Sequence, residues 1–348
     1  MIGVGTAIAW RRWPSLAFRG SYHANELAGD VEALRTVLTT GAAAGRGTLR
    51  PAPVSSLPLA DAMGSSGCVT LAEAKWRSDA EQSAVDFSGL PQGTRIFEAR
   101  LSNGFPFVGL IASHGDARRH VVTYAHGIAT TPQLALGSNW WHPAGEGAHP
   151  LWDYGHDVIV PFIPNSGNLR SVAQLWLLAA SHGISLHHCL VSMLSACVDV
   201  ADRLLGPRQG RRALFGASLG AYLSTHAMAL DDRFDALVVS GYAQSIRHAL
   251  RSDEYQRLAA TGDIYPGIYQ RELNDFGLAR CAGLIAPRPM LIEYGQHDGM
   301  AGLAFGTVDE LSQARQANPN LSIRSFDGGH EADSARAVDW LQQKLGAA

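Results

Sequence analysis

From residue 120 onward, short apolar runs alternate with stretches of helical periodicity, and this alternation constrains the fold more than any other feature. The runs at 120–124, 157–162, 212–215, 235–240, 288–294 and 321–326 mostly lack a polar-apolar alternation. Strands read this way when helices cover both faces of a parallel sheet. Between them, Leu186, Leu190, Met193, Leu194, Cys197, Ala201 and Leu204 form one helical stripe. Thr307 and Glu310 stand at capping-box spacing ahead of Leu311 and Ala314, and Val338, Leu341 and Leu345 mark a last helix. Just upstream, 95–101 and 105–113 flank Ser102-Asn103-Gly104 and predict an antiparallel hairpin. The expected fold is α/β, a doubly wound, mostly parallel sheet opened by that hairpin.

Residues 1–93 read differently. Leu27, Val31, Leu34 and Leu38 share one helix face, and the following stretch to Gly67 is rich in Gly, Pro and Ser. This predicts an N-terminal extension of helix and loop at 1–93. The α/β domain then occupies 94–348, with a cap-like insertion near 243–283. A homo-oligomer built through the amphipathic helix is compatible with this reading.

Composition narrows the function classes. With 348 residues, 46% hydrophobic and 17% charged, the chain can bury a large core. A net charge of −3 argues against a general nucleic-acid binder, which needs clustered Lys and Arg. No apolar stretch approaches the ~18–20 residues of a membrane span. Arg11-Arg12 follow the mildly apolar start instead of preceding it, so no secretory signal is expected. Of the four cysteines, Cys189 and Cys197 lie eight residues apart, about 12 Å at helical rise and too far to bridge. Reduced thiols and a cytoplasmic location are the simplest expectation.

Gly216-Ala217-Ser218-Leu219-Gly220 joins the run 212–215 to a helix-like stretch. A G-x-S-x-G between strand and helix is the pattern of a nucleophile elbow, a turn so tight that its flanks favour glycine. Chance alone gives roughly 0.3 such patterns in a chain of this composition, so the neighbours must carry the argument. A serine hydroxyl needs a base in reach, and that base needs an orienting acid. The run 288–294 leads to Gly295-Gln296-His297-Asp298, and 321–326 leads to Asp327-Gly328-Gly329-His330. Asp298 as acid and His330 as base then follow Ser218 in the order such a sheet requires. Taken singly, Asp298 also reads as a turn former and His330 as a surface helix entry. The run 120–124 ends in Ala125-His126-Gly127-Ile128. The backbone N–H groups of Leu219 and Ile128 are the expected oxyanion donors, with His126 holding the loop.

At these residues the chain resembles the α/β-hydrolase superfamily over roughly 94–345. The run Leu284-Ile285-Ala286-Pro287-Arg288-Pro289-Met290-Leu291-Ile292 resembles its dienelactone hydrolase and acetyl xylan esterase branch. The resemblance implies Ser218, Asp298 and His330 as a triad. It departs from the relatives at Ala217, where they commonly carry His or Glu. The implied activity is cleavage of carboxylic esters through an acyl-enzyme, with a small-molecule ester substrate and no cofactor. A peptidase or acyltransferase on the same triad, or a non-catalytic binding protein of this fold, stays open beside it.

His126, Gly127, Trp140, Trp141, Tyr265 and Tyr269 are the candidate pocket residues, the aromatic ones coming from long segments expected over the site. Packing of the tryptophan loop onto the sheet is the equal alternative. His187 and His188 diverge on a helix. Pro150 and Gly155 speak against a regular helix uniting His149, Asp153 and His156. No metal site is expected.

Overall fold

The computed structural model describes residues 68–79, 87–127, 130–137, 147–163, 186–242, 277–298 and 307–346. Within them nine strands form one sheet. They are β1 Leu71–Trp76, β2 Arg95–Leu101, β3 Pro106–Ala112, β4 Val121–Ala125, β5 Asp157–Pro161, β6 Arg212–Ala217, β7 Ala236–Ser240, β8 Met290–Gly295 and β9 Leu321–Phe326. Their spatial order is β1-β2-β3-β5-β4-β6-β7-β8-β9. The pairs β1–β2, β2–β3 and β3–β5 are antiparallel, and every pair from β5 to β9 is parallel.

The apolar runs lack alternation because the parallel strands β4 to β8 each feed two cores, while the edge strand β9 contributes Leu321 and Ile323 to one. On β7, Leu237 and Val239 enter one cluster, while Ala236 and Val238 enter the other. On β8, Met290 and Ile292 separate from Leu291 in the same way. The first face is covered by α3 Leu186–Leu205, α4 Leu219–Leu230, α5 Leu278–Ile285 and α6 Thr307–Ala317. The second is covered by α1 Pro132–Leu136, α2 His149–Asp153 and α7 Ser334–Leu345. No helix among the described residues is long and apolar enough to cross a membrane.

The β2–β3 hairpin turns where expected. Gly104 takes φ 90°, and the Asn103 side chain accepts the Phe105 N–H at 3.1 Å. Two features differ from the sequence expectation. Strand β1 lies inside the stretch read as helix and loop, and it extends the sheet beyond β2. Its half-exposed pattern carries Glu73 and Lys75, which pair across to Arg100 and Glu98 at 3.1 and 2.8 Å. Charges and a register shift between Leu71 and Glu73 hide the strand from any hydrophobic pattern. The second difference is that a short helix, α2, forms over His149–Asp153 in spite of Pro150, although it stops short of Gly155 and does not unite His149 with His156. The proline occupies the first turn, where its missing N–H has no intrahelical partner to lose. The amphipathic stretch 27–38 and residues 243–276 of the expected insertion 243–283 lie outside the described residues; the rest of that insertion is not cap but the start of α5, whose Leu278, Ala282 and Ile285 pack into the first core.

Candidate active site

All the parallel strands end on one edge of the sheet, so the residues that follow them converge there. The turn from β6 into α4 places Ser218 at φ 53°, ψ −120°, the one non-glycine residue with positive φ among the described residues. Its backbone N–H donates to Ser240 O at 2.8 Å, at the end of β7. A Cβ on Gly216 would come within 2.4 Å of the α4 backbone, and one on Gly220 within 1.9 Å of Ala125 O. Both glycines are therefore demanded by backbone approach, as the elbow pattern predicts.

The segment after β9 brings His330 over this turn. Ser218 Oγ–H donates to His330 Nε2 at 2.8 Å. His330 Nδ1–H donates to Asp298 Oδ2, also at 2.8 Å. A carboxylate only accepts, which puts the ring proton on Nδ1 and leaves Nε2 to receive the hydroxyl. The Asp298 side chain is fully buried, while His330 keeps partial exposure and Ser218 is half-buried. The loops cross closely here: a Cβ on Gly295 would meet Gly329 O at 2.1 Å. His297 N–H also donates to Gly328 O at 2.9 Å.

Gly127, after β4, lies against the serine. A Cβ there would stand 3.1 Å from Ser218 Cβ and 3.4 Å from Ala217 O. Leu219 is the first residue of α4, and an N–H in a helix's first turn has no intrahelical acceptor. His126 is wholly buried and does not line the approach to Ser218. Its Nε2 accepts the Ile163 N–H at 3.0 Å, so its Nδ1–H donates to Gly127 O, also at 3.0 Å. Burial lowers its pKa to about 4, which keeps the ring neutral and this bridge intact at neutral pH. The ring thus ties the loop after β4 to the end of β5. Ile128, Trp140, Trp141, Tyr265 and Tyr269 lie outside the described residues.

The histidine sets fall apart as sequence spacing implied for one and not for the other. His187 packs edge-on to His226 and near Tyr222, within the core. His149 and Asp153 do meet, at 3.7 Å across one turn of α2. His156 instead lies against His120, with the ring centroids 5.7 Å apart and the planes tilted by 34°. Among the described residues no group of three or more His, Cys, Asp or Glu is placed to hold a metal ion. Cys68, Cys189, Cys197 and Cys281 are unbridged.

Sequence reasoning missed the residues that hold the His330 segment. Glu293 on β8 is buried, and it pairs with Arg324 of β9. A single carboxylate inside an otherwise apolar central strand was the available signal, because such a group is rarely buried unless partnered.

This sheet order, with its elbow after β6 and its acid and histidine after β8 and β9, is the α/β-hydrolase fold. Among solved structures the chain is similar to an acetyl xylan esterase from Paenibacillus sp. R4. There the TM-score is 0.53 at 15% identity, covering 82% of this chain and 91% of that one. Acetyl xylan esterase 1 from Thermoanaerobacterium sp. JW/SL YS485 gives 0.52 at 12% identity, over 90% and 93%. A cold-adapted esterase from an Arctic intertidal metagenomic library gives 0.50 at 16% identity, over 73% and 94%. No protein-family model matches the sequence, and no curated protein matches it.

Proposed function

We propose that the protein is a serine hydrolase of carboxylic esters. The observation that carries this reading is the hydrogen-bonded chain from Ser218 through His330 to Asp298, at 2.8 Å in each link, on a strained elbow. Esterases among the solved structures of similar fold support the choice of esters.

In this mechanism Ser218 Oγ attacks the ester carbonyl carbon while His330 Nε2 takes its proton. Asp298 holds the ring in the required tautomer and stabilises the imidazolium. The N–H groups of Leu219 and Ile128 receive the oxyanion; loss of one such donor typically raises the barrier by about 2.7–4 kcal/mol. Collapse of the tetrahedral intermediate breaks the carbon–alkoxy bond, and His330 protonates the departing alcohol. Water, deprotonated by His330, then attacks the acyl-enzyme and frees the acid and Ser218. Gly127 borders the acyl carbon, and Trp140, Trp141, Tyr265 and Tyr269 are the proposed walls of the substrate pocket. A small-molecule ester met in the cytoplasm is the proposed substrate.

Turnover of p-nitrophenyl acetate and butyrate, beside peptide anilides, tests the reading. Wild type is expected to cleave the esters, and Ser218→Ala to lose at least about 10³-fold in kcat. Equal ester turnover by both proteins, or cleavage confined to the anilides, overturns it.

A further inference from the structure

We infer that Glu293 is a positioning residue for His330, acting through a clamp on the segment that follows the histidine. The inference rests on the triad reading above and deepens it. Glu293 lies on β8 between Ser240 of β7 and Arg324 of β9, its Cα partner on either side. All three side chains project from one row of the sheet, directly beneath the turn that leads from His330 into α7.

The hydrogen bonds define the clamp. Glu293 Oε2 accepts from Arg324 Nη2, and Glu293 Oε1 accepts the Asp333 backbone N–H at 3.1 Å. Arg324 Nη2 also donates to Asp333 O at 3.1 Å. Ser240 Oγ donates to Glu331 O at 3.4 Å, and Gly241 N–H donates to Glu293 O at 3.0 Å. Residues 331 and 333 are therefore fixed to β7, β8 and β9, one and three places after His330. The other side of the segment is fixed by Gln296 N–H to Phe326 O at 2.8 Å and by the His297–Gly328 bond.

Strand β8 consequently serves both partners of the histidine. Its end leads through Gly295 to Asp298, which orients Nδ1, and its Glu293 holds the backbone that carries the ring. Ser240 links the same clamp to the nucleophile, because its carbonyl accepts the Ser218 N–H. The Glu293 side chain is fully buried. Burial pushes its pKa up and the Arg324 charge pulls it back, so the carboxylate depends on that guanidinium. An amide at this position keeps the shape but turns a donor toward Arg324 or toward the Asp333 N–H, so one of the two bonds fails. Small displacements of a catalytic base are costly: about 1 Å can lower a rate 10²-fold.

The test is steady-state kinetics of full-length Glu293→Gln on p-nitrophenyl acetate. Rates are normalised to the Ser218 sites that a fluorophosphonate labels. The expected result is a loss of about tenfold in kcat per labelled site, with KM within about twofold of wild type. Arg324→Lys keeps the charge but replaces the planar guanidinium with a compact ammonium on a shorter stem, and a smaller loss of kcat in the same direction is expected. Should Glu293→Gln yield no folded protein, Arg324→Lys is read by the same criteria. A kcat per labelled site within twofold of wild type, or a loss carried by KM, overturns the inference. Labelling and turnover in wild type that do not depend on Ser218 overturn the triad reading, and this inference with it.

Discussion

Ser218 is held in a backbone conformation that costs a non-glycine residue on the order of 1–3 kcal/mol, so its surroundings must impose it. They do so by contact: the Ser240 carbonyl takes its N–H, and Gly216, Gly220 and Gly127 let backbone close in on three sides. Of these glycines, Gly127 is the informative one to change. A Cβ there would press on Ser218 Cβ at 3.1 Å, close enough to shift the hydroxyl without breaking the sheet. Gly127→Ala should keep the wild-type unfolding midpoint within a few degrees and lower kcat by about tenfold, read from ester turnover and a thermal melt. An unchanged kcat would mean that this face of the serine is not where the reacting carbon sits.

At the scale of elements, the legible parts of the chain are those where one force dominates. The parallel strands β4 to β8 announce themselves because both faces are buried, and the partly buried edge strand β9 still begins and ends at the residues expected for it. Helix α4 follows an elbow whose glycines are required by backbone approach, so its start was readable from the motif. The edge strand β1 was not readable, since an exposed strand is held by cross-strand ion pairs and backbone bonds that leave no hydrophobic period. Helix α2 starts in spite of Pro150, whose place in the first turn makes it harmless, while Gly155 at φ 90° follows its end and leaves His156 outside, as its sequence implied. Of the candidate site, Ser218, Asp298 and His330 could be proposed from where strands end. The clamp of Glu293, Arg324 and Ser240 could not, because its members are adjacent only across three strands far apart in sequence.

Taken whole, the molecule buries several histidines in neutral form, and this gives its stability a pH dependence. His126, His156 and His226 are lowered to about 4, and His187 lies well below the ordinary range; burial is the chief cause in each. For His156, His120, Arg119 and His114 add repulsion. In the unfolded chain these rings protonate near pH 6.5, so between pH 6.5 and 4 the unfolded state binds more protons. Their contribution is complete above pH 6.5 and is lost as pH falls toward 4. A urea titration at pH 5 should show lower stability than at pH 7.5, by on the order of 1–2 kcal/mol for each such histidine. Equal midpoints at the two pH values would show that these rings are not held neutral and buried.

The central claim is that Ser218 is a nucleophile activated by His330. Intact mass after reaction with a fluorophosphonate tests it most directly, on wild type, Ser218→Ala and His330→Ala in parallel. One adduct is expected on wild type, none on Ser218→Ala, and labelling of His330→Ala slowed by at least about 10²-fold. An adduct that persists on Ser218→Ala, or labelling of His330→Ala at the wild-type rate, would contradict it.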